Sequence, residues 1–109
     1  MTGLEAFQAL DLRVGRILAA EPLAGARKPA FKLSIDLGPL GVKGSSAQLT
    51  DLYTPEALHG RLVVCAVNLG PRRIAGFESE VLVLGAPDGS GRVVLLAVER
   101  EVPLGGKVY

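Results

Sequence analysis

The stretch Thr54-Pro55-Glu56-Ala57-Leu58-His59-Gly60 decides the reading of this chain. Thr54 offers a hydroxyl for an N-cap, and Pro55 fits the first helical position, where its missing N–H costs nothing. Glu56 suits the positive helix end, and Gly60 can stop the turn. A compact helical turn is therefore written almost in full. On either side the pattern is β. Upstream, Phe31-Lys32-Leu33-Ser34-Ile35-Asp36-Leu37 alternates strictly, as a half-buried strand does, with Lys32, Ser34 and Asp36 on the wet face. Gly38-Pro39-Leu40-Gly41 turns the chain, and Val42 to Leu49 is a third, more polar strand candidate. Downstream, Leu62 to Leu69 is an apolar, β-rich run.

Further out, Leu12 to Ala20 is apolar with Arg13 and Arg16 interspersed, and Gly15 marks a bulge or a close backbone approach. Thr2-Gly3-Leu4-Glu5 matches a capping box, so a helix of about two turns is expected between Thr2 and Ala9, with Leu4 and Phe7 on one face. That face must bury against something, and a partner subunit is one candidate. Glu80 to Ala86 reads as another strand. Pro87-Asp88-Gly89-Ser90-Gly91 is turn chemistry, Val93 to Val98 completes a hairpin, and Val102 to Tyr109 adds one more short strand. The order is three strands, a short helix, two strands, then extras. This predicts a mainly all-β fold: a five-stranded Greek-key OB-fold barrel with a short helix after strand 3, an N-terminal helix and extra C-terminal strands. An SH3-like barrel or a small sandwich comes second.

The 109 residues have the size of one domain, 1–109, and 49% of them are hydrophobic, enough for a core. Glycine (14) and proline (7) exceed the usual roughly 12% combined share, which suits short strands joined by tight turns. Twelve basic and eleven acidic residues leave a formal charge of +1, so no global field advertises a nucleic acid or a membrane. The N-terminus lacks a basic segment followed by a long apolar one, and no apolar run is long enough to span a bilayer. No signal peptide, no membrane insertion and a cytoplasmic location are expected.

Chemistry is hard to place on this chain. The single histidine, His59, ends a surface turn, and the single cysteine, Cys65, sits inside Leu62-Val63-Val64-Cys65-Ala66-Val67, where a thiol behaves as a small hydrophobe. Gly38 to Ser46 superficially resembles a phosphate loop, but Lys43 precedes Gly44 and a strand follows. No catalytic residue, metal site or cofactor is expected. Binding is better supported. No acid lies between Glu21 and Asp36, where Arg27, Lys28 and Lys32 occur, nor between Glu56 and Glu78, where Arg61, Arg72 and Arg73 occur. Such clusters, flanking adjacent strands, would converge on a groove and meet phosphates. With five aromatics and no tryptophan, a base-stacking platform is poorly supported. The polar stretch from Asn68 to Glu80 is read as a long binding loop between two apolar strands.

At this stretch a resemblance enters. Asn-Leu-Gly-Pro-Arg-Arg-Ile-Ala-Gly-Phe-Glu-Ser-Glu-Val-Leu-Val-Leu-Gly-Ala (68–86) resembles the signature of the tRNA-binding domain, an OB-fold module of some aminoacyl-tRNA synthetases and their free-standing relatives. Asp-Leu-Arg-Val-Gly-Arg-Ile (11–17) resembles that family's first strand, and the likeness covers residues 8–109. Lys-Leu-Ser-Ile-Asp-Leu-Gly (32–38), Ser-Ser-Ala-Gln-Leu-Thr (45–50) and 71–86 are similar to the CsaA-type export-related chaperones within it. The resemblance implies a homodimer, with the N-terminal helix (Leu4, Phe7) and the C-terminal strands at the contact. It also implies a binding surface for peptide or tRNA from Lys32, Ser45, Ser46, Gln48, Asn68, Arg72, Arg73, Ser79 and Glu80. Gly76 would let the loop turn, and Glu80 would orient an arginine.

Two functions follow as expectations. The first is an ATP-independent molecular chaperone that holds unfolded segments or preproteins, through exposed apolar peptides, as a homodimer. The alternative is a structure-specific tRNA-binding protein. Near-neutral charge ranks peptide above RNA, and an enzyme has no residues to carry it.

Overall fold

A computed structural model describes all of residues 1–109. The capping box forms as expected. Glu5 N–H donates to the Thr2 hydroxyl at 3.1 Å, and Thr2 N–H to the Glu5 carboxylate at 2.9 Å. These bonds to the charged form hold the Glu5 carboxyl below its ordinary pKa. They start α1 (Gly3–Ala9), none of whose residues is buried; Leu4 and Phe7 remain 67% and 42% exposed.

The barrel follows from the alternating runs. β1 (Leu12–Pro22), β2 (Phe31–Asp36), β3 (Val42–Ala47) and β4 (Leu62–Ala66) are antiparallel neighbours in the order β3-β2-β1-β4. Long β1 pairs with β4 over Leu12–Arg16 and with β2 over Arg16–Pro22, so one strand serves two partners and the sheet curls. Gly15 sits at the tightest point: a Cβ there would lie 2.6 Å from Ile35 and 2.9 Å from Leu37. It therefore marks a close approach, and the register shift falls beyond it, between Ile17 and Ala19. α2 (Pro55–Leu58) is capped by Thr54, whose hydroxyl accepts from Ala57 N–H. It drives Leu58 into a core that includes Ile17, Leu33, Ile35, Leu37, Val63 and Cys65.

Three departures from the sequence expectations have physical causes. The supposed loop 68–80 contains a hairpin, β5 (Arg72–Ile74) with β6 (Phe77–Ser79); strands of three residues are too short to show alternation. The expected strand 80–86 divides into β7 (Leu82–Val83), which joins β4, and β8 (Gly85–Pro87), which pairs with β9 (Val93–Leu95). Leu84 is the switch: its N–H donates to Val64 C=O while its own carbonyl accepts from Leu96 N–H. The tail contributes only a bridge between Arg13 and Lys107, flanked by bonds from Val14 to Gly106 and from Val108 to Leu12.

The barrel is nearly closed along β3, and side chains finish the closure. Gly44 accepts from Glu80 N–H at 2.9 Å and donates its own N–H to the Glu80 carboxylate at 2.9 Å. Ser46 N–H donates to the Ser79 hydroxyl at 2.9 Å. This is the five-stranded antiparallel OB-fold that the order of elements predicts. No helix is long and apolar enough to cross a membrane.

Candidate binding groove

The hairpin that interrupts the polar stretch is tight. Ala75 (φ +49°) and Gly76 (φ +80°) occupy the two central turn positions, as a type I′ turn demands. Ala75 is the one non-glycine residue with positive φ, and Arg73 helps hold it by donating to Gly76 C=O at 2.8 Å. The turn thus fixes where two consecutive arginines stand.

Beside β5 runs a groove of about 770 Å³. Its walls are the β1–β2 connection at Gly25–Lys28, the end of β3 with the two residues after it (Ser46 to Leu49), and β5 with Ala75. Leu82, Val83 and Val93 are part of its apolar lining, with Ala30, Leu49 and Ile74. The β1–β2 connection and the hairpin tip nearly meet, since a Cβ at Gly25 would stand 3.8 Å from the Ala75 Cβ. Four cations, Arg27, Lys28, Arg72 and Arg73, line the groove, and no carboxylate does. None of the four belongs to an ion pair. Unneutralised charges over an apolar lining give an amphipathic cleft suited to an anionic ligand with an apolar side.

The residues singled out from sequence divide sharply. Ser46, Gln48, Arg72 and Arg73 line this groove, and Gly76 forms the hairpin tip. Ser45 does not belong to any surface. Strand alternation turns it inward opposite Leu33, where it is fully buried, and its hydroxyl has no hydrogen-bond partner in the protein. Lys32 stands directly across from Ser46 but outside the groove, paired with Glu21 at 2.8 Å and 5.7 Å from the Phe77 ring centroid. Asn68 acts as a clamp: its carbonyl accepts from Asp11 N–H, and its amide donates to Ala9 C=O, tying the end of α1 to the barrel. The Ser79 and Glu80 side chains close the barrel, and Glu80 engages Gly44 instead of an arginine.

Arg61 also leaves its predicted cluster, standing over the Tyr53 ring at 5.3 Å. Conversely, Arg27 and Lys28 join the groove. Their acid-free stretch was the available signal, but only folding brings it against β5. His59 is the exposed C-cap of α2. Burial pushes the Cys65 thiol up to about 12, which removes the thiolate that reactivity would need.

Comparison with known proteins adds to this geometry. The family described as "Putative tRNA binding domain" matches residues 12–107. Methionine--tRNA ligase of Archaeoglobus fulgidus is 43% identical over 105 residues, which are 96% of this chain. The chain spans only 16% of that ligase's length. Among solved structures, chaperone CsaA from Bacillus anthracis superposes with a TM-score of 0.90 at 48% identity, covering 100% of this chain and 99% of that one. CsaA chaperone protein from Picrophilus torridus gives a TM-score of 0.92 at 42% identity, with 100% of both chains covered.

Proposed function

Because the chain belongs to the tRNA-binding-domain family, we propose that it is an ATP-independent molecular chaperone of the CsaA type, holding unfolded or preprotein segments as a cytoplasmic homodimer in protein export. In this reading residues 1–109 act as one domain, with the barrel unit over 8–109. The observation that carries it is the amphipathic groove beside β5. Its lining is largely aliphatic and its cations stand free, which suits an extended peptide bearing apolar and acidic side chains. None of its lining residues is aromatic, so a nucleic acid would find no stacking surface there. Capture needs only burial of apolar area and charge complementarity, so no nucleotide hydrolysis enters.

A second reading, a tRNA binder, is favoured by the same four unpaired cations and by the resemblance to a part of methionine--tRNA ligases. Salt separates the two. Capture of an uncharged apolar peptide, which rests on burial alone, is expected to change by less than about threefold between low and physiological salt, whereas tRNA binding should fall steeply as condensed counterions compete. Fluorescence anisotropy with an unfolded apolar peptide and with transfer RNA, each titrated across salt, measures this. Tighter binding of the transfer RNA than of the peptide at physiological salt would reverse the ranking.

The dimer in this proposal rests on α1. Leu4 and Phe7 expose apolar surface that the barrel leaves uncovered. Phe7→Glu would place a charge in that seam, and sedimentation is expected to give monomers with an unchanged far-ultraviolet spectrum. A dimer of undiminished stability would remove α1 from the contact.

A further inference from the structure

The backbone of β5 offers the groove something that its side chains do not. Ile74 and Phe77 close the two-residue turn, and the closing pair of such a hairpin is the hydrogen-bonded one. The next pair, Arg73 with Glu78, is therefore the non-bonded kind, so the N–H and C=O of Arg73 point away from β6. Pro71 C=O and Ala75 N–H, which face the same way by strand periodicity, have no partner either. This outward edge lies along the groove: Arg72, Arg73, Ile74 and Ala75 line it, while no residue of β6 does. On its far side β6 backs onto β3, where Phe77 packs against Gly44.

We infer that the free edge of β5 receives an extended acidic-apolar peptide segment as an added strand. The inference rests on the peptide reading of the groove and specifies how the peptide is held. Unpaired edge strands are templates for pairing with another chain, and most proteins cover or blunt them. This one lies open beside a cleft of suitable chemistry. Alternation then sorts the incoming side chains. One set meets the apolar lining at Leu49 and Val83, while the other meets free cations at Arg27, Lys28 and Arg72. Charge complementarity selects acidic residues for that second set, because the groove contains no carboxylate to receive basic ones. Backbone pairing makes recognition tolerant of sequence, as a holder of many unfolded segments requires.

The test perturbs the ligand's backbone and leaves the full chain intact. A labelled synthetic peptide of alternating glutamate and leucine is compared, by anisotropy, with two versions N-methylated at every leucine or at every glutamate. Strand addition uses the N–H groups of one side of the peptide only. One methylated version is therefore expected to lose at least about tenfold in affinity, and the other to stay within about threefold of the parent. Equal binding of both, or equal loss, overturns strand addition and leaves the peptide reading standing. Failure of the unmodified peptide to bind overturns the peptide reading itself, whether or not transfer RNA binds in its place. A peptide with lysine for glutamate is expected to bind at least about tenfold more weakly; equal affinity overturns the acidic preference.

Discussion

On the tRNA reading, replacing Arg72 and Arg73 together by alanine is expected to abolish retention of transfer RNA at low salt. Both side chains are exposed on β5, neither is in an ion pair, and they are two of the four cations in an acid-free groove. Each phosphate neutralised contributes roughly −0.7 to −0.9 to the slope of log affinity against log salt. Four contacts would cost about a hundredfold in affinity between 50 and 200 mM salt, and the two that remain about tenfold. Any residual binding of the double variant, too weak for retention, should show about half the salt slope. The fold should persist, because the single intramolecular bond lost is that from Arg73 to Gly76 C=O. Exposed charges of this kind contribute at most about 1 kcal/mol to stability. Retention unchanged by the substitution, with an intact circular dichroism spectrum, would place RNA contact elsewhere on the molecule. Separate expression of Arg27→Ala with Lys28→Ala should give a loss of similar size, since those residues line the same groove.

Leu58→Ala is expected to produce the largest loss of stability. α2 has only four residues and one buried side chain, so nearly all of its contact with the barrel passes through Leu58. Truncation removes transfer free energy and leaves a cavity that strands on several sides cannot collapse to fill. Leucine-to-alanine changes in such sites cost about 2–5 kcal/mol, against a total of roughly 5–15 kcal/mol for a domain. The melting temperature should fall by about 10–20 °C. Leu58→Met keeps the volume and should lose less than about 1.5 kcal/mol. A drop for Leu58→Ala of under about 1 kcal/mol would mean that α2 does not plug the barrel.

The elements that were legible in the sequence are those whose signals are local. Thr2, Glu5 and Thr54 satisfy backbone groups three residues away, and Pro55 lacks an N–H that would otherwise go unpaired, so the starts of both helices could be read without knowing the rest. β2 could be read because its alternation runs for six residues and one of its faces is buried. The hairpin was missed for the converse reason. Three-residue strands carry no period, and Ala75-Gly76 lacks the asparagine or aspartate that usually announces such a turn. Glu80 to Ala86 looks like one strand because its composition is uniform, yet Leu84 bonds to β4 on one side and to the chain just beyond β9 on the other.

Residue roles divide along the same line. Composition and spacing were enough to put acid-free basic stretches at 22–35 and 57–77 and to leave His59 and Cys65 without catalytic partners. They could not tell that Ser45 turns inward while Ser46 faces the groove, since a single residue of register exchanges them. Nor could they show that Ser79 and Glu80 serve the edge of β3, or that Asn68 ties α1 to the barrel. The amino-acid order by itself determined the helix starts, the long strands, the barrel plan and the supply of charge. Tertiary structure alone decided which charges meet. Electrostatic attraction for a ligand depends on distance through space, and folding joins Arg27 and Lys28 to Arg72 and Arg73 while sending Lys32 to Glu21 and Arg61 to Tyr53.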